Sequence, residues 1–559
     1  MRTRWYKDAV VYQIYPRSFC DSDGDGIGDL RGIISKLDYL QELGVDAVWL
    51  SPIYASPNED NGYDISDYRS IMPEFGTMDD FKEMVAGLHA RGIRLIMDLV
   101  ANHTSDEHEW FRQSRSSVDN PYRDYYIWRK GKGKNGKRPP NNWTSNFLGP
   151  AWEYDAQTQE YYLHLFARKQ PDLNWDNPKV RREIADICNY WFELGVDGFR
   201  CDVITYVSKT PGLPDACDVP LRGLKYYAIG PNYHAYMHEL YLNSWSKYDS
   251  MTVGEAAGLS CDDAPSCIDE TREELDSIFG FEHVNFCDRF CMVIPRKLNL
   301  PKFKRVLARW QAMPKTCQPT LFLENHDQSR SLPRFVGDYG ALRKEAAKSL
   351  AISMMFQRGT PYIYQGQEIG MTNCAFGDDE YRDIMSINAL KAVTKYAPLC
   401  KGIVRNVLAH AARDHARTPM QWNASHGAGF TDGAPWMKIN PNHTEIHVEE
   451  SMRDPDGIFG FYRDLLRYRK GNDLVIEGDF VLEYPKDKRL FVYRRTLGAR
   501  QLLVIANYTN RKVKFRLPAA CVDQPSALVL SSYRDTAPTA GDCVLRPYEA
   551  AVYEIGKST

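Results

Sequence analysis

Eight short runs of β-branched and aromatic residues, separated by longer amphipathic stretches, set the strongest limit on what this chain can fold into. They are Val10–Pro16, Ala47–Ile53, Leu95–His103, Val196–Val203, Met251–Ala256, Ser277–Phe286, Thr320–Asp327 and Pro361–Gly370. Strand-like runs alternating with helical stretches are the pattern of repeated βα units on a parallel sheet. One intervening stretch is explicit: after Asn177-Pro178, the residues Val180, Ile184, Ile187, Trp191 and Leu194 follow a helical apolar spacing, and Gly195 offers a left-handed stop. Eight such units read as an α/β chain folded into a (β/α)8 TIM barrel, with its active site at the carboxyl ends of the strands.

Two departures from the repeat define further regions. The irregular stretch from Thr104 to Leu173, which holds the basic, Gly-rich loop Gly131–Trp143, reads as an insertion domain after the third strand. Beyond about Gly478 the pattern changes to short alternating runs (Arg489–Arg495, Gln501–Tyr508, Val513–Leu517, Ala527–Ser531 and Ala550–Ile555), which read as a C-terminal antiparallel β domain. The expected division is 1–103 and 174–478 for the barrel, 104–173 for the insertion and 479–559 for the β domain. A length of 559 residues fits the two to four domains expected at roughly 100–200 residues each.

Charge excludes several partners. Lys plus Arg number 70 against 73 Asp plus Glu, for a net −3, with no long single-sign run. A nucleic-acid or polybasic membrane binder is not expected. No stretch of about 18 apolar residues exists, so no membrane span is expected. The 13 cysteines are odd in number and scattered, and the amino terminus lacks the apolar core of a signal peptide. Reduced thiols in a cytoplasmic protein are the expectation. With 12 Trp, 34 Tyr and 23 Phe, the chain suits aromatic-lined clefts.

Polar groups cluster where the strand-like runs end. The third run ends in DLVANH (Asp98, Asn102, His103), the fourth in GFRCDV (Arg200, Asp202), the fifth in VGEA (Glu255) and the seventh in ENHD (His326, Asp327). A carboxylate there costs stability unless it is paired or used, and four such places converging on one barrel face point to chemistry. Carboxylates among aromatics, without a thiol or Ser-His motif, suit glycoside hydrolysis. Arg200, two residues before Asp202 on the same strand face, is expected to keep it ionised as the nucleophile. Glu255, flanked by Gly254, Ala256 and Ala257, has surroundings that allow a raised pKa and the role of acid.

These motifs in this order, with QPDLNW at Gln170–Trp175 and RTPMQW at Arg417–Trp422, resemble the α-amylase superfamily, glycoside hydrolase family 13, over essentially the whole chain. The nearest branch by resemblance is that of the oligo-1,6-glucosidases (isomaltases). The resemblance implies a retaining mechanism in which Asp202 attacks the anomeric carbon, Glu255 protonates the leaving oxygen and then activates water, and Asp327 holds sugar hydroxyls in the transition state. It further implies that Asp60 and Tyr63 bind and stack on the nonreducing-end glucose, and that His103, Arg200 and His326 hydrogen-bond the sugar or the carboxylates. Arg417 would pair with Asp60 or the sugar, while Phe147, Phe166 and Gln170 would line the pocket. The expected partner is an oligosaccharide, with no nucleic acid or membrane, and the chain is expected as a monomer or weak homo-oligomer.

A second cluster is Asp21, Asp23, Asp25 and Asp29, spaced around glycines with the Ile27 carbonyl at the seventh position, hard oxygen ligands at calcium-loop spacing. Gly32 stands at position twelve and a strand precedes the loop, so this is no EF-hand. The resemblance extends to this loop and implies a structural calcium or magnesium.

Val203, after the nucleophile, is the residue that in this branch accompanies α-1,6 bonds, where Thr accompanies α-1,4. The expected activity is therefore a retaining, exo-acting α-glucosidase on isomaltose and isomalto-oligosaccharides. Trehalose-6-phosphate hydrolases share these motifs, including the Val, so that alternative stays open beside an α-1,4 or sucrose-active α-glucosidase. Sucrose isomerases carry an RLDRD-type loop where this chain reads QSRSLPRFVGDYG, Gln328–Gly340. An amylase-like transporter heavy chain requires a membrane span and tolerates a broken triad; this chain keeps Asp202, Glu255 and Asp327.

Overall fold

The eight apolar runs each form a strand, and the strands close on one another in chain order. The computed structural model describes residues 2–218, 221–285, 297–337, 339–522, 524–536 and 542–556. The barrel comprises β1 (Val11–Ile14), β2 (Ala47–Leu50), β3 (Arg94–Val100), β4 (Gly198–Asp202), β5 (Met251–Glu255), β6 (Ser277–Phe279), β7 (Gln318–Leu321) and β8 (Thr360–Tyr364). Each pairs parallel with the next, and β8 returns to β1. Apart from Arg94 and Glu255 every strand residue is buried, because helices cover the outside and side chains fill the inside. Each run outlasts its strand, by the widest margin at β6, β7 and β8, the last of which ends at Tyr364 rather than Gly370. β6 stops at Phe279, and Phe286 lies outside the described residues, as does Asp338 of the Gln328–Gly340 stretch. β7 stops at Leu321, so ENHD is a loop beyond the strand rather than its end.

Helix α1 (Met78–Ala90) starts at a reciprocal capping box between Thr77 and Asp80. Helix α2 (Pro178–Glu193) starts where the Asn177 side chain accepts from the Lys179 N–H, with Pro at its first position. Its Val180, Ile184, Ile187 and Trp191 are buried, and the Trp191 indole donates to the Tyr68 carbonyl at 2.8 Å. Gly195 has φ of 97°, and a Cβ there would lie 2.9 Å from the Val85 side chain. The turn from α2 into β4 therefore needs glycine.

Residues 104–173 carry a three-stranded antiparallel sheet, with Glu160–Leu163 between Trp128–Arg129 and Trp152–Asp155. This insertion shares its core. Ile127, Trp143, Trp152 and Leu163 pack with Val203, Tyr206, Leu213 and Tyr227 from the segment after β4, whereas Phe111, Trp128 and Tyr162 join the main core. The expected separate unit is thus fastened to the barrel at the strand that ends in Asp202. At the other end of the chain, β9 (Asp479–Glu483), β10 (Leu490–Leu497), β11 (Arg500–Asn507), β12 (Ser526–Ser531) and β13 (Ala550–Ile555) form an antiparallel sheet in the order β9-β10-β11-β13-β12. A two-stranded ribbon, Val513–Phe515 with Cys543–Leu545, accompanies it.

Candidate active site

Strand geometry brings the first group together. Asp98 lies beside Arg200 in the β3–β4 register, and Arg200 and Asp202, two apart on β4, point the same way. The Arg200 guanidinium donates from Nη1 to Asp98 at 2.9 Å and to Asp202 at 2.7 Å, and from Nη2 to Glu255. Cys201 between them points into the core, fully buried.

The second group forms around Asp327. Its Oδ1 accepts from Arg413 Nη1 and Arg417 Nη2, both at 2.9 Å. The two arginines meet again at Asp383, whose Oδ2 accepts from Arg413 Nε at 2.9 Å and Arg417 Nη1 at 3.0 Å. It is Arg413, not Arg417, that faces Asp60, at 3.5 Å. The expected Arg417–Asp60 pair is corrected on this point: the Arg417 guanidinium is already filled by Asp327, Asp383 and the His326 carbonyl. Arg413, one helical turn earlier, is left to reach across. Arg413 Nη2 lies 2.6 Å from Asp383 Oδ2 and 3.5 Å from Asp60 Oδ1, so Asp60 is the more loosely held of its two carboxyl neighbours.

The rings join the two groups. Tyr63 Oη donates to Asp98 at 3.0 Å and lies 2.8 Å from His326 Nε2, while the Tyr63 and His326 rings stack at 5.4 Å. The Gln13 amide donates to His326 Nδ1 at 2.7 Å, which leaves the proton on Nε2, 3.3 Å from Asp327. His103 Nε2 lies 3.2 Å from Gln170 Nε2, and Gln170 donates to Asp60 at 3.1 Å. Phe166 packs at 5.0 Å from the His103 ring and 5.5 Å from Phe147, and Arg413 stands 5.4 Å over Phe147. All the expected pocket residues therefore meet in one place, whereas Asp98, Arg413 and Asp383 enter as additions. Only Asp98 had a signal, at the end of the third run. Arg413 and Asp383 lie in the connection after β8, where no periodicity marks them.

Three guanidiniums here serve six carboxyls: Asp60, Asp98, Asp202, Glu255, Asp327 and Asp383. That deficit of positive charge keeps protons on the site. Burial pushes Glu255 up to about 8, with Arg200 opposing and the Asp202 and Asp327 charges adding to the rise. Burial pushes Asp202 up to about 7 against Arg200, and Asp98 up to about 6. The expected private pairing of Arg200 with Asp202 is thus shared three ways, and what separates the two carboxyls is order: Glu255 holds its proton longest. Burial likewise pushes Asp60 up to about 7. For Asp327 burial opposes ionisation, but the Arg413 and Arg417 guanidiniums that donate to it outweigh burial and hold the carboxyl below the usual range. Burial pushes His103 down to about 4 and His326 to about 3, so both imidazoles are neutral.

Val203, the residue after Asp202, has φ of 36° and ψ of 36°. A β-branched residue in this left-handed region stores about 1–3 kcal/mol of strain. The turn directs the Val203 N–H toward Glu255 at 3.4 Å and buries its side chain beside Tyr206 and Trp143. Nearby, Lys209 is pinned between Asp172 of the insertion at 2.8 Å and Asn102 at 2.9 Å.

The acidic loop lies apart from this network. Oxygens of Asp21, Asp23 and Asp29 come within 4.8 Å of one another, a hard donor set that suits a divalent cation. Asp25 stands outside that group. Its carboxylate accepts from the Ile27 N–H at 2.7 Å, which turns it back into its own loop. Asp21 also accepts from Thr431, and the Asp21 N–H donates to the Phe430 carbonyl at 2.9 Å, so the loop is clamped to the segment beyond Arg417.

The α-amylase catalytic-domain model matches residues 13–478. This chain belongs to the α-amylase family. It is an enzyme of glycoside hydrolase family 13, and the match runs across both barrel halves and the insertion. It is 50% identical to the oligo-1,6-glucosidase of Parageobacillus thermoglucosidasius over 99% of this chain and 100% of the relative. Among solved structures, the trehalose-6-phosphate hydrolase of Bacillus licheniformis superposes with a TM-score of 0.93 at 43% identity, covering 99% of this chain and 100% of its own. The trehalulose synthase of Pseudomonas mesoacidophila MX-45 gives 0.92 at 41%, with the same coverage. Family membership is thus secure across enzymes with different substrates, and the choice among them rests on the site. Among the described residues, no helix of this family member is long and apolar enough to cross a membrane.

Proposed function

We propose that this chain is a retaining, exo-acting α-glucosidase that cleaves α-1,6 bonds at the nonreducing end of isomaltose and short isomalto-oligosaccharides. The observation that carries the chemistry is the sharing of one guanidinium by Asp202 and Glu255, which accept from its two amino groups and are so held side by side. Inverting enzymes hold their carboxyls about 6.5–9.5 Å apart to admit a water, whereas retaining ones close the gap for direct attack. Asp202 attacks the anomeric carbon, and Glu255, the later to lose its proton, protonates the departing oxygen. Glu255 then takes a proton from the water that releases glucose. Asp327, ionised, holds sugar hydroxyls as charge develops on the ring.

The substrate is a neutral sugar. Arg200, Arg413, Arg417 and Lys209 are each matched by carboxylates, so none offers a free charge to a phosphate. Linkage rests on Val203, where a methyl in place of a hydroxyl changes the packing of the leaving sugar by about 1–3 kcal/mol. A 50% identical relative named as an oligo-1,6-glucosidase supports the same reading. The loop carboxylates Asp21, Asp23 and Asp29 hold a calcium or magnesium ion with a structural role, and the protein works in the cytoplasm.

Two experiments test this. Asp202→Asn removes turnover by about 10⁴-fold or more while the protein stays folded; substantial residual activity overturns the assignment. Glucose release is then compared over isomaltose, maltose, sucrose and trehalose 6-phosphate, and preference for the last overturns the substrate while sparing the mechanism.

A further inference from the structure

Asp383 carries more than the start of a helix requires. It caps α3 (Ile384–Tyr396), accepting from the Met385 N–H at 3.0 Å, a task an uncharged Asn performs equally well. Yet its carboxylate is almost wholly buried, and its Oδ2 takes hydrogen bonds from both Arg413 and Arg417. The same two arginines converge on one oxygen of Asp327. Asp383 is itself anchored: Asp414 accepts from the Arg382 and Asp383 N–H groups at 2.7 and 2.9 Å and from the Ser386 hydroxyl at 2.8 Å.

Two guanidiniums this close repel each other, and with Asp60 reaching only Arg413, at 3.5 Å, Asp327 cannot both neutralise them and remain aimed at a substrate. We infer that Asp383 is a positioning residue of the reaction: it holds Arg413 and Arg417 in the orientation in which both donate to Asp327, and ties that grip to the helix it caps. Without its charge, Asp327 is drawn deeper between the arginines and its second oxygen turns from the sugar. The inference rests on the reading that Asp327 grips sugar hydroxyls.

The test is steady-state isomaltose hydrolysis by Asp383→Asn, with the melting temperature measured alongside, and by Asp383→Ala with and without added formate. The Asn variant keeps the cap and the volume, so it is expected to fold, with kcat down about 10–100-fold and KM changed less than about threefold. Formate, a free carboxylate, is expected to restore part of the Ala variant's kcat. A purely structural residue gives neither signature. Near-native kcat in the Asn variant, its failure to fold, or indifference of the Ala variant to formate overturns the inference. Asp202→Asn, assayed in parallel, separates the two claims: if it retains turnover the functional reading itself fails, and if it does not, contrary Asp383 results sink only the positioning role.

Discussion

Two regions of this enzyme bury cations and neutralise them in opposite ways. At the active site Arg200, Arg413 and Arg417 face six carboxyls. At the seam between the barrel and the C-terminal sheet, Lys304 donates to the carbonyls of Tyr484, Asp487 and Leu490, at 2.7 to 2.8 Å. Arg495 on β10 donates to the carbonyls of Phe356, beyond the end of the helix Arg343–Met355, and Gly478. Carbonyls at a helix carboxyl end carry partial negative charge, so they suit a cation without adding a group that titrates. The cost of burial then falls on the cation: burial pushes Lys304 down to about 8 and Arg495 to about 9. At the active site the excess carboxyls take that cost instead, and Glu255 keeps a proton near neutral pH. A seam of carbonyls fastens; an excess of carboxyls stores protons for catalysis.

The sharpest break in this comparison comes from Glu255→Gln, which keeps the shape and removes the proton. Hydrolysis of isomaltose is expected to fall about 10³-fold, while a nitrophenyl glucoside, whose leaving group needs no proton, still forms the glycosyl-enzyme at a rate closer to native. Equal losses on both substrates in pre-steady-state assays would remove Glu255 from the acid role. Next come matched arginine deletions. Arg417→Met leaves Asp327 and Asp383 short of charge, so it is expected to cost about 3–5 kcal/mol of stability and most of kcat. Arg495→Met strands only carbonyls, and should cost about 1–3 kcal/mol, read as a lower denaturation midpoint, with kcat unchanged.

The pH profile is a smaller effect with a defined sign. Turnover needs Asp202 ionised, so kcat/KM falls as pH drops below about 7; it also needs Glu255 protonated, so kcat/KM falls as pH rises above about 8. The expected bell belongs to the coupled pair and loses about tenfold per pH unit outside it. Glu255→Gln, assayed on the nitrophenyl glucoside, should lose the alkaline limb. Smallest is chelation. Stripping a cation from Asp21, Asp23 and Asp29 is expected to lower Tm by about 2–5 °C and leave kcat at 25 °C intact. No bound metal and no Tm change would remove the ion.

The catalytic candidates were legible for a geometric reason. Asp202 and Glu255 close their strands, and in a barrel the carboxyl ends of all strands share one face, so a linear reading collects them. Arg413 was not legible, because its partners Asp60 and Asp327 come from connections far from it in sequence. An arginine four residues away, within a recognisable motif, drew the assignment instead. The insertion shows the same limit. Its aromatic residues were visible, but that they close a core with Val203 and Tyr206 depends on how two connections meet above the barrel.

Patterning alone therefore determined the barrel, the β domain and which strand ends carry acids, since side-chain direction follows from strand period and chain order. Only the tertiary structure decided who pairs with whom and which carboxyl keeps a proton. Those outcomes depend on how three buried guanidiniums are divided among six carboxyls, and that division is set by distances of about 3 Å between segments that chain order does not place together.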